Sequence, residues 1–487
     1  MTSSRQAESR KRQTQTLVHR QSGGEQVFIK SASILERVIS RPASTWTEHD
    51  LEQAFVTLDL RQVSLMHVGG HGKLKTLDFV PRDHNHFLHI LRYGERADGS
   101  SLFSGSGISS RASDIVLRPR IPSAFVDPFS DEGTLAVLCS HETCSGEPLP
   151  QSPDSIVRKA YDRLLKVAGF ELHALGEVEF FLGCREERNP EPDTEDRGYH
   201  AAAPFVEGQE LRRRALTLLA EIGVPLKYAH SEVGFALADD EHDVTWEQHE
   251  VELGLAPLPQ AADNVALTQW VLRNLAREYE LLISFEPVVR RGHAGNGMHF
   301  HLAPFADKRF IPVFQSGKKV SHAAELLLSG LLINGCSLMA FGNRAATSFV
   351  RLFQGKESPT SVTWGQFNRK ALVRLPVTTT DASGAAVSPE TIEFRLPDSS
   401  ASPHLLLAGI AQAATAAHAS SDTQDFLDMM HCDMPAAKDS QAIPTSGKAV
   451  ANLLRKSRAT YQAADVFPEN LIEAEIARLE SQVEIDQ

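Results

Sequence analysis

Three short runs set ionisable side chains on one face of otherwise apolar segments. In Gly295-Asn296-Gly297-Met298-His299-Phe300-His301-Leu302, an extended backbone sends His299 and His301 to one side and Met298, Phe300 and Leu302 to the other. Glu177-Val178-Glu179-Phe180-Phe181-Leu182 pairs Glu177 with Glu179 in the same way. Ile392-Glu393-Phe394-Arg395-Leu396 sets Glu393 beside Arg395, opposite three large apolar residues. Charged groups survive at the centre of such strands when they are paired or bind a cation. Two imidazoles on one face can hold a metal, a phosphate, or one of each. An edge strand with one solvated face would account for any one of these runs. Three in one chain point to a sheet whose concave face is an anionic, metal-filled cavity.

The rest of the chain has to position these strands. The segment from Phe28 to Ser40 and the segment from Asp50 to Leu60 read as short helices. A hairpin follows, Val63–Val68 and Leu74–Val80 around Gly69-Gly70-His71-Gly72. Phe103 to Ile108 is glycine- and serine-rich and reads as a flexible loop, with strands at Asp114–Pro119 and Thr134–Cys139. Gly146 to Pro150 reads as a linker. Beyond it, helices are expected from Ser155 to about Ala168, from Gln209 to Glu221, from an Asp263 cap to about Glu280, from Ala323 to Ala340 and around Leu471 to Leu479. Arg185 to Gly198 reads as a long loop.

The 487 residues suffice for two domains and a large core, and 42% hydrophobic with 23% charged residues is ordinary for a globular protein. A net charge of −13 argues against nucleic acid as a partner. No apolar run reaches the roughly 20 residues of a membrane span, so no membrane partner is expected. Five cysteines without a CxxC pair fit a reduced, cytoplasmic chain. Residues 1–26 are polar and read as a disordered tail. The expected division is this tail, residues 27–150 as a small α+β unit, and residues 151–487 as the larger domain.

Taken in order, the motifs resemble those of the glutamine synthetase family from about Val63 onward. They are Ser113–Pro119, Glu177–Leu182, His230-Ser231-Glu232-Val233, Gln248-His249-Glu250, Ala262-Asp263-Asn264-Val265, Gly297–His301, Arg351-Leu352 with Gly355 and Glu357-Ser358-Pro359, Asn368-Arg369 through Arg374-Leu375-Pro376, and Glu393–Asp398. The resemblance implies an α+β fold, with an N-terminal β-grasp domain and a catalytic domain built on a curved antiparallel sheet flanked by helices. It also implies a homo-oligomer of stacked rings, a decamer or dodecamer, with active sites between subunits. The implied reaction phosphorylates the γ-carboxylate of L-glutamate with ATP, after which an amine displaces the phosphate. By the same resemblance Glu179, Glu232 and Glu250 bind one divalent ion and Glu177, His299 and Glu393 a second. Oxygen ligands with one imidazole suit Mg²⁺ or Mn²⁺. His301, Arg369 and Arg374 would meet the nucleotide phosphates and the transferring group. Glu179, Gly295, Arg351 and Arg395 would hold the glutamate, with Arg351 on its α-carboxylate and Arg395 on its γ-carboxylate. Glu357 resembles the flap carboxylate that shields the acyl phosphate and takes a proton from the amine.

The acceptor side departs from the pattern. Where ammonia-using members carry an aspartate in the N-terminal catalytic loop, this chain has Ser104, which has no charge to hold or deprotonate ammonium. Ala294 replaces an asparagine, Thr391 an arginine and Ala303 a serine, and Leu237 to Trp246 is an insert bearing Asp239, Asp240, Glu241 and Asp243. These departures lead to the expectation of a γ-glutamyl-amide synthetase for an organic amine. An aromatic amine such as aniline is favoured because it is neutral at pH 7 (γ-glutamylanilide synthase-like), with Trp246 and Trp364 as possible walls of an aryl pocket. Alternatives are a γ-glutamylpolyamine or alkylamine synthetase, an ammonia-using glutamine synthetase, and a non-catalytic ring scaffold.

Overall fold

The computed structural model describes residues 32–482 apart from 106, 109–110, 112, 186–195, 316–318, 383–385, 420–422 and 434–441. The expected tail and most of the 185–198 loop lie outside the described residues. Of the first expected helix, Ile34–Ile39 is helical.

The N-terminal part forms a mixed sheet. Its strands are β1 (Gln62–Val68), β2 (Leu74–Phe79), β3 (Glu95–Asp98), β4 (Asp114–Pro119), β5 (Phe125–Val126) and β6 (Thr134–Thr143). The order is β2-β1-β6-β4-β3, with β5 beside β6 and the central β1–β6 pair parallel. Helix His84–Tyr93, absent from the sequence reading, buries Phe87, Leu88, Ile90 and Leu91. These residues share a core with Val63, Leu65, Leu135 and Val137 of the sheet. Three histidines obscure its apolar face, but Asp83 caps it by accepting from His86 N at 2.8 Å. Gly94 ends it at φ 68°, where a Cβ would lie 1.7 Å from the Leu117 carbonyl oxygen. Phe103, the first residue of the loop expected to be flexible, is itself anchored, its ring buried edge-on against His141.

The larger sheet comprises β7 (Glu171–Cys184), β8 (Leu226–Ala236), β9 (Thr245–Leu253), β10 (Ala256–Pro257), β11 (Leu282–Ser284), β12 (Phe300–Ala306), β13 (Arg309–Phe310), β14 (Ser361–Gln366), β15 (Ala371–Leu375) and β16 (Ile392–Phe394). Its order is β14-β15-β16-β12-β7-β9-β8, with β10 and β11 on β7 and β13 on β12. The pairs are antiparallel except β14–β15. Phe180, Phe300 and Phe394, at alternate positions to the charged residues, are fully buried on the helix-covered face. Helices Pro153–Ala168, Leu258–Glu278, His322–Gly342 and Pro403–Ala417 contribute to that core. Gly330 permits close contact between the last two of these: a Cβ there would lie 2.7 Å from the Ala414 nitrogen. Helix His322–Gly342 is long and apolar enough to cross a membrane, contrary to the sequence reading, but 89% of its apolar window is buried inside the protein.

Asp263 does not cap its helix. The helix starts at Leu258 behind Pro257, and Asp263 lies buried within it. There its carboxylate accepts from Arg120 Nη1 at 2.6 Å and meets His404 Nε2 at 3.0 Å. Arg120 also lies 3.5 Å from Asp154, so a side chain just beyond β4 joins both sheets' units. Burial opposes ionisation of Asp263, yet Arg120 and His404 hold it well below the usual carboxylate range. Arg120→Met would leave the buried Asp263 carboxylate with only His404 beside it, while Asp154 keeps Arg158 and Ser140. It is expected to cost about 3–5 kcal/mol, read as a lower urea midpoint; an unchanged midpoint would show that the pair contributes nothing.

Candidate active site

Register brings the acidic residues side by side. Along β7 and β9, Glu177 faces Glu252 and Glu179 faces Glu250. Across β8 and β9, His230 faces Glu250. Across β12 and β16, His301 faces Glu393, which in turn faces Arg374. Like charges directly opposite are unfavourable in a sheet, so this arrangement calls for cations.

A cavity of about 260 Å³ opens over these strands. Glu177, Glu179, Glu232, Glu250, Gly295, His299, His301, Arg351, Glu357, Arg369, Arg374 and Arg395 all line it. Glu393 sits just behind: Arg374 Nη1 donates to it at 3.1 Å, Arg395 Nη1 pairs with it, and His299 Nδ1 lies 3.8 Å away. His299, just ahead of β12, has Nδ1 2.6 Å from Glu177 Oε2. His301 Nε2 lies 2.9 Å from Glu177 Oε1, and its Nδ1 lies 2.9 Å from the Thr391 hydroxyl. Thr391 therefore orients the imidazole. Ser104 is exposed on the other sheet's loop and does not line the cavity.

The donor set fits divalent cations. Glu177, Glu179 and Glu250 offer oxygens within 4.8 Å of one another, as do the ligand atoms of Glu177, His299 and Glu393. His299 Nε2 is buried without a hydrogen-bond partner. A Cβ at Gly297 would fall within 3 Å of Glu179, Arg351 and His299, so only glycine leaves this cradle clear. The expected trio Glu179, Glu232 and Glu250 divides: Glu179 groups with Glu177 and Glu250, whereas Glu232 groups with Glu250 and with His230, which lies 3.3 Å from Glu250.

Several lining residues escaped the sequence reading: Glu252, Lys227, Tyr228 and Tyr199. Glu252 repeats the alternation of Glu250 along β9 and was the detectable one. It is buried, accepts from Lys227 Nζ at 2.6 Å, and leaves Oε2 without a partner. Gln248 stood in a motif without a role; its Nε2 donates to Glu179 at 2.9 Å, to the Gly295 carbonyl at 3.2 Å and to Asn296 Oδ1 at 3.1 Å. The suggested tryptophan walls are corrected. Trp364 is core, its Nε1 donating to the Leu427 carbonyl, and Trp246 packs edge-on to Phe181; neither lines the cavity. The acidic insert joins β8 to β9 as an exposed loop away from the cavity lining.

The charges split into two groups. Burial opposes ionisation of Glu177, but His301 and His299 hold it well below the usual range. Burial likewise opposes Glu393, and Arg395 and His301 lower it. Burial and then Glu232 push Glu179 up to about 8. Burial pushes Glu232 up to about 7, and burial followed by Glu177 raises Glu250. Burial, then Arg395, lowers His299 and favours the neutral imidazole a metal requires.

Two outcomes follow. For Glu179, Glu232 and Glu250 the folded value exceeds the unfolded one. Their stabilising effect on metal-free protein is therefore complete below the ordinary carboxylate range and is lost as pH rises through about 7 to 8. The thermal midpoint of chelator-treated protein should fall across that window, Mg²⁺ should restore it, and calorimetry at pH 7 should record protons released on Mg²⁺ binding. A pH-independent midpoint with no proton release would contradict the site. Gln248→Leu should weaken Mg²⁺ binding by about 10–100-fold, read by the same titration.

A family model described as "Glutamine synthetase, catalytic domain" matches residues 150–484. A glutamine synthetase of Thermus thermophilus is 32% identical over 336 residues, covering 66% of this chain and 71% of that protein. One of Azospirillum brasilense is 27% identical over 479 residues, covering 90% and 94%. A cryo-EM structure of Plasmodium falciparum glutamine synthetase superposes with a TM-score of 0.76 at 18% identity, covering 89% of this chain and 95% of that one. Acidic strands, helix-backed sheet and matched sequence agree: the chain belongs to the glutamine synthetase family.

Proposed function

We propose that this protein joins the γ-carboxylate of L-glutamate to an organic amine, through a γ-glutamyl phosphate formed at the expense of ATP, with an aromatic amine such as aniline as the favoured acceptor. Two features carry the choice of acceptor: an uncharged Ser104 on the N-terminal loop and, separately, aromatic faces that line the cavity. Tyr199 and Tyr228 line the cavity and are 51% and 47% exposed. Tyr199 stacks on His200 at 4.3 Å and meets His230 edge-on at 5.3 Å. A flat, neutral amine fits such a rim and arrives with its lone pair free; ammonium needs a base to remove its proton.

The site residues then take these roles. Arg351, buried beside Glu179 and Asp398, holds the α-carboxylate of glutamate, and Arg395 its γ-carboxylate. Arg369 and Arg374 balance charge on the transferring phosphoryl group, with His301 on the nucleotide phosphates. Glu357, 3.5 Å from Arg369, covers the acyl phosphate and accepts the amine's proton. Mg²⁺ or Mn²⁺ held by Glu177, Glu179, Glu232, Glu250, His299 and Glu393 would supply neutralisation of phosphate charge. Residues 27–150 form the acceptor domain and 151–487 the catalytic domain. Because Ser104 lies outside its own chain's cavity, a neighbouring subunit in a stacked decamer or dodecamer brings it to the site. A cytoplasmic setting, where ATP and glutamate abound, suits this chemistry.

Use of ammonia is the second reading, favoured by the likeness to proteins named glutamine synthetase at 32% and 27% identity. An amine panel with glutamate, Mg²⁺ and ATP, scored by phosphate release and amide formed, separates the two. Aniline should outrun ammonium and alkyl diamines. Ser104→Asp should raise ammonium use by about tenfold or more. Equal use of aryl and alkyl amines would end the aromatic proposal, and no phosphate release with any amine would end the ligase reading.

A further inference from the structure

The two loops that flank the cavity mouth are tied by one ionic clasp. Ala294 and Gly295 line the cavity from one loop, and Glu357 lines it from another. Between them, Lys356 Nζ donates to Asp196 Oδ2 at 2.6 Å and also to the Gly292 carbonyl. The same Asp196 carboxylate accepts from the Ala294 amide at 3.3 Å and the Phe235 amide at 3.4 Å, and lies 3.5 Å from His293 Nδ1. The Gly292 amide in turn donates to Gln354 Oε1 at 3.2 Å. One carboxylate therefore gathers the edge of β8, the 292–295 loop and the 355–357 loop.

The 355–357 segment has reason to need holding. Gly355 and Glu357 both have left-handed backbone, at φ 62° and φ 50°, and for a glutamate that conformation is unfavourable. The Glu357 carbonyl accepts from Arg395 Nη2 at 3.2 Å, which ties its backbone to a cavity arginine, while its side chain is half exposed. Lys356 is next in sequence and is the residue whose side chain crosses to the opposite loop.

We propose that Lys356 and Asp196 are positioning residues: their ion pair fixes the Glu357 segment against the 292–295 loop, so that an activated carboxyl group in the cavity meets the amine rather than water. This rests on the ligase reading above. When the clasp is loose, the oxygen of water attacks the γ-carbonyl carbon and its C–O bond to phosphorus-bearing oxygen breaks. Phosphate leaves with that electron pair, water's proton passes to solvent, and glutamate is regenerated. The sum is ATP plus water giving ADP and phosphate, with no amide formed.

The test compares wild-type protein with Lys356→Met, Asp196→Asn and Lys356→Arg. Hydrogen exchange is expected to quicken at the Gly292, Ala294 and Phe235 amides in the first two and to return towards wild type in Lys356→Arg. In parallel, phosphate released per amide formed should rise about two- to fivefold in the first two variants, the range a partly exposed ion pair supports, with rescue by arginine. A merely structural role would lower the thermal midpoint without moving that ratio. Unchanged exchange at those amides overturns the clasp whether or not the protein turns over. Wild-type protein that releases no phosphate with glutamate and any amine overturns the ligase reading instead, while exchange still judges the clasp. Faster exchange with an unchanged ratio overturns its role in excluding water.

Discussion

Carboxylates crowded on one face of a sheet govern this structure. Glu177 faces Glu252, Glu179 faces Glu250, and Glu393 lies one strand beyond His301. Packed this closely and buried, they cannot all ionise without counter-charge. The chain supplies part of it: His301 on Glu177, beside a hydrogen bond between Glu177 and His299, and Arg374 and Arg395 on Glu393. Glu179, Glu232 and Glu250 are pushed towards their neutral forms, because burial outweighs Arg351 near Glu179 and His230 near Glu250. The imbalance has a direction. The compensated carboxylates sit with the imidazoles and guanidiniums, and the uncompensated ones wait for cations.

That demand explains the rigidity around the cluster. The strands' opposite face carries Phe180, Phe300 and Phe394, fully buried, so a slip of one residue would drive charge into the core. Gln248 fixes Glu179, Thr391 fixes His301, and the Gly297 amide donates to Glu179 at 2.7 Å. Asn343, buried behind them, donates to Asp398 at 2.8 Å and to the Leu396 carbonyl at 3.0 Å, holding the chain that follows Arg395. The N-terminal sheet is joined to this assembly through Arg120, at a distance from the cavity. One face of the large sheet carries the charged cluster and the other packs against helices.

The rim differs in character from the floor. Most floor residues lie on strands and are buried or half-buried, whereas Arg369, Glu357 and Lys356 are on loops and exposed. Their order comes from cross-loop hydrogen bonds rather than burial.

Strand periodicity alone determined much of this. Alternating charge and aromatic residues at 177–182 and 392–396 announced two strands of the site before any packing was known, because extended chain has a fixed period of two. The helix at Gln209–Glu221 was legible from its apolar spacing and has the bounds expected. Tertiary structure decided what periodicity cannot encode: which strands are neighbours, and therefore that Glu252 joins Glu177. It also decided that Asp263 is an ion-pair centre rather than a cap, because its partner Arg120 is 143 residues away in sequence. Tryptophans at 246 and 364 carry the same composition signal whether they line a pocket or pack elsewhere; packing put Trp364 in the core and left Trp246 half-buried against Phe181. Residue type and local spacing fix which chemistry is available; only long-range contacts fix which groups meet.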